Sequence, residues 1–197
     1  YSSHYEGRLR LPWPCGELLA TGRFKAVFSR DQLTADDLTE QLKRPVDFLG
    51  NPFMDPVLTP APALPPSPLR SQPAPRHRIG LLPGSRRPEL EDNLKLLLQL
   101  IQRLPTSAGL SADLALASNL DDATLLALAE GVGWTLEQGV LLRSGAVPIT
   151  VRRGSFQAVL QQSDLVIGMA GTAIEQAVGL AKPALQLPGK GPQFTAA

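Results

Sequence analysis

The sequence predicts an α/β fold built on a doubly wound sheet, on three observations. Short runs of β-favouring apolar residues alternate with segments whose leucines recur at helical spacing, the pattern of βαβ units. That alternation occurs twice, once on each side of a single proline-rich break. The 197 residues are 43% hydrophobic, enough to bury a core rather than to remain disordered.

Before the break, Phe24 to Phe28 (FKAVF) reads as a buried strand. Thr34 reads as the start of a helix, with Asp37 three positions on in a variant of the capping box, and Leu38 and Leu42 supply one apolar face. Val46 to Leu49 reads as a second short strand, ended by Gly50-Asn51-Pro52. Eight of the nineteen prolines then fall between Pro56 and Pro75. Proline has a fixed φ and no N–H, so this stretch can be neither helix nor central strand and reads as a semi-rigid extended spacer. The expected organisation is therefore 1–55 as the end of one Rossmann-like domain, 56–77 as a proline-rich linker, and 78–197 as most of a second.

After the break the pattern restarts more clearly. Arg78 to Leu82 (RIGLL) is a strand, followed by the turn PGSRRP and a helix on Leu90, Leu94, Leu97, Leu98, Ile101 and Leu104. Ala112 to Ala117 is the next strand and Asp121 to Glu130 the next helix, with Asp121-Asp122 placed to cap it. Val140 to Leu142 and Val147 to Val151 read as strands, Gly154 to Gln162 as a short helix, and Asp164 to Ile167 as a strand. Thr172 to Val178 is the last helix and Pro183 to Leu187 the last strand.

Composition narrows the function classes. Nineteen basic and eighteen acidic residues leave a net charge of +1, and their scatter gives no basic face of the kind nucleic acid requires. No apolar run approaches the ~20 residues needed to span a bilayer, and the first residues lack a signal pattern. The single cysteine, Cys15, supports neither a disulfide framework nor a metal quartet and suits a reducing compartment. Because the chain starts at Tyr1 and stops just after a strand and a glycine loop, we expect it to be part of something longer.

In open α/β sheets, ligands bind beyond the carboxyl ends of the strands, which directs attention to two turns. In Pro83-Gly84-Ser85-Arg86, glycine permits close backbone approach, serine adds a hydroxyl and arginine a fork of donors, while the helix start contributes free amides. Those parts suit a diphosphate; a plain strand-to-helix turn with a solvated arginine is the alternative. The second turn, Gly168-Met169-Ala170-Gly171-Thr172, leads into the helix TAIEQAV. Thr172 and the amides around Gly171 can approach phosphate oxygens. Glu175, three residues on, would repel phosphate but can accept hydrogen bonds from a ribose diol. A carboxylate that merely complements the helix dipole is the alternative there. His4 and His77 have no evident orienting partner, Trp13 and Trp134 read as packing residues, and Gly189-Lys190-Gly191 is a weak candidate for a phosphate-facing loop.

Taken together, these motifs resemble a known set. LLPGSRRPELEDN is similar to the segment opening the second domain of the bacterial lipid-A-disaccharide synthases, and AGTAIEQAVGLAKP to their S-G-T-x-T-L-E segment. The likeness is closer to the lipid-A-disaccharide-synthase-related proteins, through Arg30-Asp31-Gln32-Leu33-Thr34-Ala35, Gly50-Asn51-Pro52-Phe53-Met54-Asp55, Ala170 to Pro183, and Gly189 to Thr195. Ala170 stands where the synthase has serine, and Ile174-Glu175-Gln176 departs from its leucine-glutamate pair. The resemblance implies two facing Rossmann-like domains of the GT-B glycosyltransferase type, acceptor on the first and nucleotide-sugar donor on the second. It implies a metal-independent hexosyl transfer from a UDP-sugar to a lipid or glycolipid acceptor, with no cofactor and no nucleic-acid partner. Gly84, Ser85, Arg86, Gly171 and Thr172 would hold phosphates and Glu175 the ribose, and the general base would lie outside this chain. A cytoplasmic protein, at most peripheral at the inner face of the membrane, follows from the same comparison. A UDP-sugar 2-epimerase-like enzyme and a non-catalytic sugar-nucleotide-binding paralogue are the alternatives.

Overall fold

A computed structural model describes residues 8–69, 75–106, 109–169 and 171–188. The chain divides into two compact units, Tyr1–Asp55 and Pro56–Ala197.

In the first unit, helices α1 (Cys15–Ala20) and α2 (Gln32–Leu42) accompany a small core of Leu9, Ala35, Leu38, Leu42 and Val46. The helix expected to begin at Thr34 begins earlier. Asp31 is its N-cap, accepting hydrogen bonds from the Thr34 amide at 2.8 Å and the Thr34 hydroxyl at 3.0 Å. Asp37 instead accepts the Leu9 amide at 2.7 Å, tying the approach segment to the helix. The two expected strands, Phe24 to Phe28 and Val46 to Leu49, contract to one parallel bridge between Phe28 and Asp47. Its hydrogen bonds run from Ser29 to Asp47 and from Asp47 to Val27. Without a further strand among the described residues on either side, a pair this short has no sheet to extend and its outward side chains, Phe28 and Leu49, stay exposed. Trp13, expected to pack, is 82% exposed.

The second unit opens within a helical turn, α3 (Asp55–Leu58), that runs into the proline-rich segment. That segment, read as a spacer, packs into this unit: Val57 and Leu64 are buried. A seven-stranded sheet follows, formed by β1 (His77–Leu82), β2 (Leu110–Leu116), β3 (Thr135–Glu137), β4 (Val140–Leu142), β5 (Ile149–Arg153), β6 (Leu165–Met169) and β7 (Ala184–Leu187). Their order is β3-β4-β5-β2-β1-β6-β7. The five strands β5, β2, β1, β6 and β7 are parallel, and chain order reverses direction at β1, as in Rossmann-like sheets. The sheet is mixed because β3 and β4 form an antiparallel hairpin that pairs with β5. Sequence reading missed β3. Its turn, Gln138-Gly139, has positive φ at both residues, the form that two-residue hairpins favour, without the usual Asn-Gly signature.

Among the described residues, four helices cover the sheet. On one face α4 (Glu89–Ile101) and α5 (Asp122–Glu130) join Ile79, Leu81, Leu114 and Ile167 in a continuous core with Leu90, Leu94, Leu97, Leu98, Ile101 and Trp134. On the other lie α6 (Phe156–Gln162) and α7 (Thr172–Gly179). Here two glycines set the spacing. A Cβ on Gly80 would lie 2.5 Å from the Ser163 hydroxyl, and one on Gly168 would lie 2.8 Å from the Leu82 carbonyl oxygen. The same face buries Asp113, whose carboxylate accepts from the Arg152 guanidinium at 2.6 Å and lies 3.4 Å from that of Arg78.

Candidate functional site

Beyond the carboxyl ends of the central strands lies a cavity of about 440 Å³, within the size range of small-molecule pockets. Its walls come from four places in the chain. Leu82 ends β1 and Gly84 and Ser85 follow it, while Ala115 and Leu116 end β2 and Ala117 and Ser118 follow it. Gly154 and Phe156 join β5 to α6, while Thr172, Ala173 and Gln176 come from the start of α7.

Local chemistry explains why these turns hold their shape. Gly84 has φ +91, and nothing lies within 4 Å of where its Cβ would be, so backbone conformation rather than space calls for glycine. The Asn93 side-chain amide donates to the Pro83 carbonyl at 3.2 Å, and that of Asn119 to the Ser85 carbonyl at 2.8 Å. The turn after β1 is thus pinned by α4 on one side and by the loop after β2 on the other. Arg87 is engaged with Glu91, one helical turn on, through an ion pair and a 2.7 Å hydrogen bond. Arg86 is exposed and makes no ion pair with another described residue.

The turn before α7 is built similarly. Gly171 is the N-cap, at φ +138 and without a side-chain cap. The amides of Ile174 and Glu175 donate back to the Gly171 carbonyl. Those of Thr172 and Ala173 start the helix and have no intrahelical acceptor, and both residues line the cavity. The loop after β2 owes its form to Asp121, which caps α5 by accepting the Thr124 amide at 2.7 Å. That amide, followed by the Thr124 hydroxyl, holds the Asp121 carboxyl below the usual carboxylate range.

Of the residues predicted from sequence, Gly84, Ser85 and Thr172 line the same cavity. Arg86 and Gly171 adjoin it in the chain, and Glu175 sits half-buried in the first turn of α7 without lining it. The glutamine after it, Gln176, does line the cavity and is buried. Sequence reading missed Ala115 to Ser118, Asn119, Phe156 and Gln176. The rule that pointed to the ends of β1 and β6 applies equally to β2 and β5, and would have marked the first six of these. His77 is exposed at the start of β1; His4, Ala170 and Gly189-Lys190-Gly191 lie outside the described residues. Among the described residues no group of acidic, histidine or cysteine side chains is placed to hold a metal ion, and no helix is long and apolar enough to cross a membrane.

Fold and site together define an α/β domain with Rossmann-like strand order and a pocket where chain direction reverses. Comparison of the chain with protein-family models and with curated proteins returns no match.

Proposed function

We propose that this cavity binds the nucleoside diphosphate part of a sugar nucleotide, and that the chain is the donor-side portion of a glycosyltransferase of GT-B type. One observation carries the reading. The PGSR turn after β1 and the helix start after β6 each carry residue types that suit phosphate, and Gly84, Ser85 and Thr172 from the two turns line a single cavity. Two amide-bearing turns plus an exposed arginine with no ion pair among the described residues suit a ligand with two adjacent phosphates.

In this reading the amides of Thr172 and Ala173, the Ser85 hydroxyl and the Arg86 guanidinium surround the diphosphate. When the bond between the anomeric carbon and the diphosphate oxygen breaks, negative charge grows on that oxygen, and fixed donors stabilise it with little reorganisation. An acceptor oxygen forms the new bond to the anomeric carbon, and its proton passes to a base outside the residues described. Glu175 reaches the ribose by a rotamer change, or Gln176 takes that part as the neighbouring polar side chain.

Calorimetric titration with uridine diphosphate tests the proposal. Arg86→Ala should weaken binding by about 1.5–3 kcal/mol, the scale of a lost charge-assisted hydrogen bond. Arg87→Ala, which removes a guanidinium already engaged with Glu91, should leave affinity nearly unchanged. Equal losses in the two variants, or no binding by the unmodified chain, would sink the assignment. In a longer protein containing this chain, donor turnover that requires a lipid acceptor would favour transfer. Turnover without an acceptor would favour 2-epimerisation, and binding without turnover a non-catalytic paralogue.

A further inference from the structure

The proline-rich segment has a backbone recognition problem that the fold answers in one place. Residues 60–67 form neither helix nor strand, so their carbonyls and the few amides between prolines must find partners outside regular structure. Three glutamines on α6 supply them. Gln161 donates to the carbonyls of Val57 at 2.6 Å and Thr59 at 2.7 Å, while its side-chain oxygen accepts the Ala61 amide at 2.9 Å. Gln162 does the same one step along, donating to Pro62 at 2.8 Å and accepting from Leu64 at 2.9 Å. Gln157 donates to Thr59. Val57 and Leu64, near the two ends of the contact, are 1% and 8% exposed. A carboxamide both donates and accepts in this way; a carboxylate could not donate and an ammonium could not accept.

The helix that holds this segment is short and also forms part of the pocket. Phe156, its first residue, and Gly154 just before it line the cavity. The far end of α6 is tied down by Lys182, whose ammonium donates to the Gln161 carbonyl at 2.5 Å and the Ser163 carbonyl at 3.0 Å, a favourable place for a cation. Its inner face rests on Gly80 through Ser163 and Val159. The outer face depends on the proline-rich segment.

We propose that residues 57–64 are an intramolecular ligand of α6, a strap whose contacts with Gln157, Gln161 and Gln162 hold the Gly154–Phe156 wall of the pocket in position. Its consequence for affinity rests on the pocket being the nucleotide site, but its consequence for the wall does not. These glutamines are positioning residues, since none of them lines the cavity. Segments rich in proline suit this task because little conformational freedom remains to be lost when they dock.

The test uses the whole chain and two independent variants. Gln161→Glu with Gln162→Glu keeps size and helix propensity but removes the donated hydrogen bonds. Pro60→Gly with Pro62→Gly loosens the strap and leaves the helix sequence untouched. Hydrogen–deuterium exchange should rise at least about tenfold at Ala61 and Leu64 in both variants, and several-fold across 154–162, while the amides of α4 on the opposite face keep their protection, showing that the domain is intact. Uridine diphosphate affinity should fall about three- to tenfold in parallel. If the strap amides exchange faster but 154–162 does not change, or if neither changes, the strap is overturned. An unmodified chain that binds no nucleotide would overturn the site assignment alone, and the exchange measurements would still decide the strap.

Discussion

The two faces of the sheet are built on different principles. Under α4 and α5 the packing is thick, aliphatic and continuous, with Leu90, Leu94, Leu97, Leu98 and Ile101 all inaccessible to solvent. Under α6 and α7 the packing is closer, with Gly80 and Gly168 bringing helices near the strands and a buried Asp113–Arg152 pair set among buried aliphatic residues such as Val159, Val166 and Ala177. Both faces meet in β2, where neighbours Asp113 and Leu114 point to opposite sides. The first face supplies hydrophobic stabilisation, at roughly 25 cal/mol for each Å² of apolar area buried. The second supplies position. Asp113 lies two residues before Ala115, on the same face of β2, and Ala115 lines the cavity; Gly168 packs against Leu82, which also lines it. The pocket therefore sits where the domain spends stability on geometry.

Substitutions at paired positions can break that comparison, and the largest effect is expected at Asp113. Asp113→Ala strands the Arg152 guanidinium, 8% exposed, and should cost about 3–5 kcal/mol in denaturant unfolding, the usual penalty for breaking a buried pair. Replacing both partners together, as Asp113→Val with Arg152→Met, should recover most of the loss, because well-packed apolar residues substitute for a buried ion pair at little cost. If the double variant is no better than the single one, the pair does more than satisfy itself. Next door, Leu114→Ala should cost about 2–5 kcal/mol by leaving a cavity in the aliphatic face, with nucleotide affinity unchanged.

A smaller effect is expected at Gly168. An added Cβ meets the Leu82 backbone oxygen, which cannot swing aside as a side chain can, so Gly168→Ala should cost about 1–3 kcal/mol through overpacking. It should also weaken uridine diphosphate binding by displacing Leu82; a loss of stability with full affinity would separate the second face from the pocket. The smallest effect concerns the Asp121 cap. Its carboxyl titrates lower in the folded chain than at its ordinary value of 3.8, so its contribution is complete above that value and disappears as pH falls through the lower folded value. Asp121→Ala should thus lower the thermal midpoint slightly near pH 7, and the gap from the parent chain should close on acidification below about pH 4. A gap that stays constant with pH would show that the cap acts by shape and not by charge.

Much of the second unit was legible because its signals are local. The leucines of α4 recur at helical spacing, Asp121 announces its cap, and each parallel strand is a short apolar run closed by a turn. The first unit was less legible. Phe24 to Phe28 and Val46 to Leu49 have strand composition, but a strand also needs a neighbour, and among the described residues they have only each other at one bridge. The hairpin partner β3 escaped because Gln138-Gly139 is a turn whose type depends on backbone dihedrals that its side chains do not advertise.

The sequence by itself determined the α/β class, the order of most elements of the second unit, and the two turns whose Gly84, Ser85 and Thr172 line the cavity, because each is encoded within a few consecutive residues. Tertiary structure alone decided that Gln176 rather than Glu175 lines the cavity, that Arg87 pairs with Glu91 while Arg86 forms no ion pair among the described residues, and that Asp113 faces Arg152 across 39 residues of chain. It alone decided, too, that the proline-rich segment docks on α6 through glutamines about 100 residues away. Such pairings depend on strand register and helix rotation, and a shift of one residue in either would turn every one of these side chains to a different neighbour.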